Sequence, residues 1–156
     1  MQKLGTITFT QGTVTITDPC YNRGTWCTAT VQNVHQGEWT AEIEISDEGD
    51  WGKRVKNLVL TADGETGGEE ERLPDEIGVD AGVCGVFEDK PNYGDADWFN
   101  LCDSDLSDRF GGLAKKDNSF QCVGAWSSSG YGDGGYDAYI RKNEAGEVVA
   151  IRVNYL

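Results

Sequence analysis

Residues Trp39–Ser46 have the sequence WTAEIEIS, in which apolar and polar side chains alternate with a period of two. Successive side chains of a β-strand point to opposite faces, so Trp39, Ala41 and Ile43 share one face and the glutamates lie on the other. Such a strand buries one face in a core and leaves an acidic face in water. The stretch therefore predicts one strand of a half-exposed antiparallel sheet.

The residues on both sides of this stretch continue the same pattern. Trp26–His35 and Arg54–Ala62 predict the strands before and after it. Near the N-terminus, Leu4–Thr10 and Thr13–Thr17 alternate in the same way and are joined by a short link that contains glycine. A link of this kind between two alternating runs predicts a β-hairpin.

The second half of the chain predicts further strands and one helix. Ile77–Asp89 is rich in small and apolar residues, which predicts a central strand with a bulge or a close backbone contact. Asp95–Leu106 predicts a short helix capped by Asp95 or Asp97, because its apolar residues recur at helical spacing. Ser107–Ser119 predicts a loop. The last three predicted strands are Phe120–Ser127, Tyr136–Lys142 and Val148–Leu156.

These segments define the expected fold class. About ten strands and one short helix predict a mainly β chain, built either as an antiparallel β-sandwich or as a strongly bent or closed sheet. The length of 156 residues and the lack of a linker predict a single β domain over residues 1–156.

The charge of the chain restricts its partners. Twenty-seven acidic and 13 basic residues give a formal net charge of −14. Such a surface repels phosphate backbones and anionic lipids, so we expect neither direct nucleic-acid binding nor membrane binding. It attracts a basic protein surface. A simpler interpretation is that the acidic residues only keep a small protein in solution.

The cysteine and histidine content argues against a metal site. Five cysteines occur without a Cys-x-x-Cys pair, and His35 is the single histidine. Structural zinc needs clustered Cys and His, so we predict no metal and no cofactor. The N-terminus shows no signal-peptide pattern, and no apolar run has the length of a membrane span. We therefore predict a cytoplasmic protein with reduced thiols.

The most unusual segment is Ser127–Tyr139, which has the sequence SSSGYGDGGYDAY. Glycine adopts positive φ without a Cβ penalty, so this spacing bends the backbone sharply. Asp133 is able to fix the turn through its own backbone, and Tyr131 and Tyr136 offer aromatic faces with a polar tip. The segment predicts either a contact site or a long turn that hides its tyrosines in the core.

Patterns associated with catalysis are poorly developed in this sequence. Asp80 lies in an apolar run and is a candidate buried carboxylate, although a structural role as a cap for backbone amides is the preferred interpretation. The acidic segment Asp103–Asp108 lacks the glycine and glutamate of a calcium loop. His35 lies beside a predicted turn and is interpreted as a surface histidine. No phosphate-binding glycine loop is present.

Four further motifs are residues 50–55 (DWGKRV), 79–89 (VDAGVCGVFED), 97–99 (DWF) and 127–136 (SSSGYGDGGY). Together they resemble a bacterial and phage family of unknown function. The resemblance implies a small, mostly β domain from a bacterial or mobile-element genome, with no assigned reaction. It also implies that the Asp18–Tyr21 segment, Asp80 and the Asp133 turn form one site or one structural unit.

Three functional hypotheses follow from these observations. The preferred one is a non-enzymatic, phage- or mobile-element-encoded inhibitor that binds a basic surface of a host protein. The second is a protein that binds or sequesters a small nucleotide-like signal, provided that Arg23, Arg54 or Arg141 gather locally. The third is a metal-assisted hydrolase that uses Asp80 and Asp133. The predicted ligand-binding residues are Asp18, Tyr21, Asp80, Ser129, Tyr131, Asp133 and Tyr136, and we predict no catalytic residue.

Overall fold

The computed structural model describes residues 1–22, 24–106 and 110–156. Within these residues the strands are β1 (Gln2–Phe9), β2 (Thr13–Thr17), β3 (Ala29–Gln32), β4 (Gly37–Asp47), β5 (Lys53–Ala62), β6 (Glu71–Val79), β7 (Val83–Glu88), β8 (Gly111–Ala114), β9 (Val123–Ser128), β10 (Gly134–Lys142) and β11 (Val148–Asn154). A 3₁₀ turn, Gly49–Trp51, separates β4 from β5. Helix α1 (Asp95–Leu101) continues as a π-helical turn, Cys102–Leu106.

The strands form two antiparallel sheets. The larger sheet has the order β1-β4-β5-β11-β10-β6, and the smaller sheet has the order β3-β2-β7-β9-β8. Apolar residues from both sheets share one buried cluster, so the sheets pack face to face. This arrangement confirms the prediction of a mainly β antiparallel sandwich with one short helix.

The alternation of Trp39–Ser46 determines which face of β4 enters this core. Trp39, Ala41 and Ile43 are fully buried, whereas Glu42 and Glu44 lie on the outer face and are partly exposed. The Trp39 ring packs edge-on against Phe9 of β1, with 5.5 Å between ring centroids. The period-two pattern is therefore confirmed as the signal for a half-buried strand.

A second, smaller core lies between the five-stranded sheet and α1. Phe120 stacks between Phe87 and Trp126, with centroid distances of 5.7 and 6.1 Å, and Leu101 of α1 is buried in the same cluster. Gly124 makes this packing possible. A Cβ atom at Gly124 would lie 2.2 Å from the Val86 carbonyl oxygen and 2.9 Å from the Phe87 ring.

A polar network crosses the outer face of the six-stranded sheet. The Arg152 guanidinium donates two hydrogen bonds of 2.9 and 2.7 Å to the carboxylate of Glu70. It also donates to Asn57 Oδ1 at 2.8 Å and lies 4.3 Å from the centre of the Tyr139 ring. The Asn57 amide in turn donates to Glu44 at 2.7 Å. The hydrogen bond from Arg152 lowers the pKa of Glu70, and the same bond raises the pKa of Arg152.

The predicted β1–β2 hairpin is wrong. β1 pairs with β4 in the larger sheet, whereas β2 pairs with β3 and β7 in the smaller one. The link between them carries the chain from one sheet to the other. The buried carboxylate of Glu88 holds this corner, accepting hydrogen bonds from the backbone N–H groups of Thr10 at 2.8 Å and Gln11 at 2.9 Å. A hydrogen bond between residues 77 positions apart in sequence, Gln11 and Glu88, thus overrides the local hairpin pattern.

The prediction of one central strand over Ile77–Asp89 is also wrong. The segment contains the end of β6, which is an edge strand, then a turn, and then β7 inside the smaller sheet. Asp80 lies in the turn and is exposed, so it is not a buried carboxylate. The small residues that suggested a bulge instead permit the turn, where Gly82 has a φ of 69°.

Three further boundaries differ from the predictions. The Trp26–His35 strand shortens to β3, and Trp26 lies in the loop before it. Helix α1 begins after Gly94, which is the N-cap in place of Asp95 or Asp97. The predicted loop Ser107–Ser119 contains β8, which pairs with β9. Residues 107–109 lie outside the described residues, as does Arg23.

Candidate functional site

The side chain of Asp18 joins two turns at one end of the sandwich. This residue follows β2 and is fully buried. Its Oδ2 atom accepts hydrogen bonds of 2.7 Å from the backbone N–H groups of Asp80 and Ala81, and its Oδ1 atom accepts one of 2.8 Å from Cys20. Three N–H donors satisfy the buried carboxylate, so Asp18 acts as a clamp between the β2–β3 loop and the β6–β7 turn.

The glycine-rich turn between β9 and β10 lies beside this clamp. The backbone N–H of Ser129 donates to Gly82 O at 3.1 Å, which ties the turn to the β6–β7 turn. Inside the turn, the Ser129 hydroxyl donates to Gly132 O at 2.8 Å and the Tyr136 hydroxyl donates to the same oxygen at 2.6 Å. Among the described residues, these hydrogen bonds come from Ser129 and Tyr136 rather than from Asp133, which is exposed.

The two tyrosines of this segment have different environments. Tyr136 packs edge-on against the buried Tyr155, with 5.1 Å between ring centroids, and borders the main core. Tyr131 is 52% exposed, and its hydroxyl donates to Glu48 at 2.9 Å. The Arg54 guanidinium lies 4.8 Å from the centre of the Tyr131 ring. The segment therefore packs one tyrosine against the core and leaves the other exposed, and the contact site at this segment stays a prediction.

A cavity of about 260 Å³ opens where the β2–β3 loop passes the edge strand β6. It is lined by residues of this loop and by residues from the paired ends of β6 and β10, three of which are glycines. The indole of Trp26 is 89% exposed. The lining residues are Tyr21, Trp26, Cys27, Glu76, Gly78, Val79, Gly134 and Gly135. We call this space the Tyr21–Trp26 cavity.

Two glycines shape the floor of the cavity. A Cβ atom at Gly135 would lie 1.6 Å from Glu76 Oε1, so the absence of a side chain there lets the Glu76 carboxylate lie across β10. A Cβ atom at Gly78 would lie 2.8 Å from the sulfur of Cys27, so Gly78 lets the loop pack closely against β6. The backbone N–H of Gly78 also donates to Cys27 O at 2.9 Å.

The pKa values of Tyr21, which lines the cavity, and of the nearby Cys20 are both raised. Partial burial, together with Cys27 and the carboxylates of Asp18 and Asp80, raises the pKa of Tyr21 to about 12. Burial and the hydrogen bond with Asp18 raise the pKa of Cys20 to about 12 as well. Tyr21 therefore presents a neutral aromatic ring, and Cys20 is a poor nucleophile at neutral pH.

The predicted site residues separate into three groups. Tyr21 lines the cavity. Asp18, Ser129 and Tyr136 hold the three adjoining turns together, as the structural alternative for this segment requires. Asp80 and Asp133 are exposed on two neighbouring turns, and Tyr131 lies with Glu48 and Arg54 away from the cavity lining.

Sequence reasoning missed Trp26 and Glu76, which supply the aromatic and charged parts of the cavity. Trp26 was assigned to a strand, whereas Pro19 and Gly24 on its N-terminal side indicate a loop that runs through it. Glu76 lies in a segment with several other acidic residues, so the sequence does not distinguish it from them. The pairing of β6 with β10, which places Glu76 beside Gly135, is not local and carries no sequence signal.

The hypothesis of an anionic small ligand requires arginines that lie close together. Arg54 pairs with Ser46 at the start of β5, whereas Arg141 pairs through β11 with Thr61 near the end of β5. The two arginines therefore lie at opposite ends of the larger sheet and do not gather. Arg141 donates to the backbone oxygen of Gly68 at 2.7 Å, and Arg54 contacts Tyr131.

His35 is not an isolated surface histidine. Its Nδ1 atom lies 3.3 Å from Glu147 Oε1 and 3.7 Å from Glu65 Oε1. These three ligand-type atoms lie within 4.8 Å of one another. We call His35, Glu65 and Glu147 the His35 cluster. Sequence spacing does not reveal this cluster, because its members come from three separate loops.

Among residues 1–22, 24–106 and 110–156, no helix has the length and apolar character that crossing a membrane requires. All five cysteines are free thiols. Comparison of the chain with protein-family models, with curated proteins and with solved structures finds no match.

Proposed function

We propose that this chain is a non-enzymatic binding protein whose Tyr21–Trp26 cavity accepts an arginine or lysine side chain from a basic partner protein. The observation that carries the proposal is the largely exposed indole of Trp26, which shares a glycine-floored cavity with the carboxylate of Glu76. The motif resemblance described above favours a bacterial host protein as the partner, with this chain acting as an inhibitor.

The chemistry of the cavity supports a cationic guest with an apolar stem. A guanidinium or ammonium group is attracted to the faces of Trp and Tyr rings by about 0.5–2 kcal/mol, depending on desolvation. Glu76 offers a carboxylate for a charge-assisted hydrogen bond. None of the described residues that line the cavity is basic. A cationic side chain is therefore favoured over an anionic one.

The charge of the whole chain supports the same class of partner. A net charge of −14 raises the rate at which a basic surface meets this protein. Surface charge alone gives little specificity, whereas aromatic residues in a concave site commonly supply most of the binding energy of an interface. The charge is therefore proposed to attract the partner and the cavity to select it.

A peptide pair tests the proposal. One peptide carries a single central arginine between glycine-serine spacers and the other carries citrulline, the uncharged isostere. We expect the arginine peptide to bind wild-type protein about 5- to 30-fold more tightly, corresponding to about 1–2 kcal/mol. Binding is followed by fluorescence anisotropy of a label on the peptide at about 150 mM salt.

Matched variants separate the cavity from general charge. Trp26→Ala is compared with Trp51→Ala, because Trp51 is 70% exposed on the turn before β5. Glu76→Gln is compared with Asp75→Asn, which changes the net charge by the same amount. We expect only Trp26→Ala and Glu76→Gln to remove the preference for arginine. Equal effects within each pair would show that the preference for arginine does not depend on the cavity and would overturn the proposal.

A further inference from the structure

The Tyr21–Trp26 cavity lies at the start of β10, whereas the His35 cluster lies beyond the other end of that strand. Three connections between strands meet at the cluster. His35 is in the link between β3 and β4, Glu65 follows β5, and Glu147 ends the turn between β10 and β11. All three side chains are partly buried. The cluster contains an imidazole as well as two carboxylates, and it is distinct from the acidic residues that are spread over the rest of the surface.

Backbone contacts hold the three connections in fixed positions. The backbone N–H of His35 donates to Val148 O at 2.9 Å, and the N–H of Val148 donates to Asn33 O at 2.8 Å. The carbonyl oxygen of His35 accepts a 2.9 Å hydrogen bond from the indole of the buried Trp39. Both the backbone N–H and the backbone carbonyl of His35 are therefore hydrogen-bonded, which fixes the position from which the imidazole extends.

Asn143 orients both carboxylates of the cluster. Its amide nitrogen donates to Glu65 Oε1 at 2.9 Å and to Glu147 Oε1 at 3.2 Å, while its amide oxygen accepts from the Glu147 backbone N–H at 2.9 Å. Hydrogen bonding of this kind to the residues around a metal commonly positions the ligands.

We infer that the His35 cluster binds a divalent transition-metal ion of the zinc class through His35 Nδ1, Glu65 Oε1 and Glu147 Oε1. The distances from Nδ1 to the two oxygens, 3.3 and 3.7 Å, are close to the edge of about 3.4 Å in a tetrahedron with bonds of about 2.1 Å. The imidazole favours zinc-like ions over calcium and magnesium, which prefer oxygen ligands.

An open groove adjoins the metal ligands. It has a volume of about 610 Å³ and is lined by residues 64–68 and 142–145, which include Glu65 and Asn143. Three protein ligands leave at least one coordination position for water or another molecule, and this is the arrangement of accessible rather than purely structural zinc sites. Of the three proposed ligands, Glu65 lines this groove.

Zinc titration of the untagged chain in a chelator-free buffer tests the inference. His35 is the only histidine of the chain, so its imidazole NMR signals report the site without overlap. We expect one zinc ion to bind, these signals to shift, and the melting temperature to rise, because the ion joins three connections of the folded state. Cobalt(II) is expected to give visible absorption bands from the same site.

Variants identify the ligands. His35→Ala and His35→Gln are expected to lose this binding, and Glu65→Gln and Glu147→Gln to weaken it at least 10-fold. Glu144→Gln lies in the same turn, is exposed, and is expected to bind zinc as wild type does. Unchanged zinc affinity in both His35 variants would assign the ion to thiols or other acids and overturn the inference. Absence of any shift in the His35 signals up to about 1 mM zinc would also overturn it.

Discussion

The carboxylate of Asp18 and the backbone N–H of Asp80 are joined by a hydrogen bond of 2.7 Å across 62 residues of sequence. Asp18 contributes its side chain to this contact, whereas Asp80 contributes its backbone N–H. The bond fixes the β6–β7 turn against the loop that carries Tyr21 and Trp26. The shape of the Tyr21–Trp26 cavity therefore depends on a buried carboxylate that does not line it.

Replacing Asp18 is expected to destabilise the fold strongly. Asp18→Ala leaves three backbone N–H groups without their acceptor, which we expect to cost about 3–5 kcal/mol in the free energy of unfolding. Urea unfolding measures the loss. Asp80→Ala is the matched control, because it keeps the backbone donor, and it is expected to change stability by less than about 0.5 kcal/mol. Equal losses in the two variants would contradict the clamp.

The Glu70–Arg152 pair predicts a specific dependence of stability on pH. The folded-state pKa of Glu70 lies below its ordinary value of about 4.5, so the ionised form is favoured in the folded chain. The stabilisation is complete above about pH 4.5 and is lost as the pH falls through the lowered folded-state pKa.

Glu70→Gln therefore removes part of this acid sensitivity. We expect wild type to be more stable than the variant by about 1 kcal/mol at pH 7, with the difference shrinking below pH 4. Chemical unfolding at several pH values measures both curves. A difference that stays constant down to about pH 2 would contradict the assigned pair.

The thiols are expected to react slowly in the folded protein. With a pKa of about 12, Cys20 and Cys84 are thiolates in only about one molecule in 10⁴ at pH 8. Labelling with a disulfide reagent should modify these residues far more slowly than a free thiol, while all five cysteines react after denaturation. Rapid labelling of Cys20 in the native state would contradict its raised pKa.

A glycine substitution tests the packing of the smaller sheet. Gly124→Ala places a carbon atom 2.2 Å from the Val86 carbonyl oxygen and against Phe87, so we expect a loss of about 3 kcal/mol in the free energy of unfolding. At Gly94, the N-cap of α1, an added Cβ atom meets open space, and Gly94→Ala should cost only about 0.5–1 kcal/mol, because alanine is a poorer N-cap than glycine. Similar melting temperatures for both variants would argue against this packing.

Local patterns predicted the strands better than their partners. The alternation in β4 identified its buried face, because strand periodicity is a property of consecutive residues. The hairpin prediction failed because Glu88, distant in sequence, draws Thr10 and Gln11 into a corner between sheets. The short alternating runs of β1 and β2 do not specify which sheet each one joins.

The site was only partly predictable for the same reason. Hydrogen bonds join Asp18, the turn that contains Asp80 and the glycine-rich turn, and proline and glycine mark these segments as turns in the sequence. Trp26 and Glu76 carry no such mark, and their roles depend on how β6 pairs with β10. The His35 cluster likewise exists only after three connections are brought together by the sandwich.

Titration of the wild-type chain with a capped arginine tripeptide, followed through the five tryptophan indole N–H signals, tests the central claim most directly. The Trp26 signal is assigned by its disappearance in Trp26→Phe. Binding in the cavity predicts a saturable shift of that signal, with Trp51 unmoved and no response to the citrulline tripeptide. Equal small shifts at Trp26 and Trp51, or no shift up to about 10 mM peptide, would contradict the assignment of the cavity to a basic side chain.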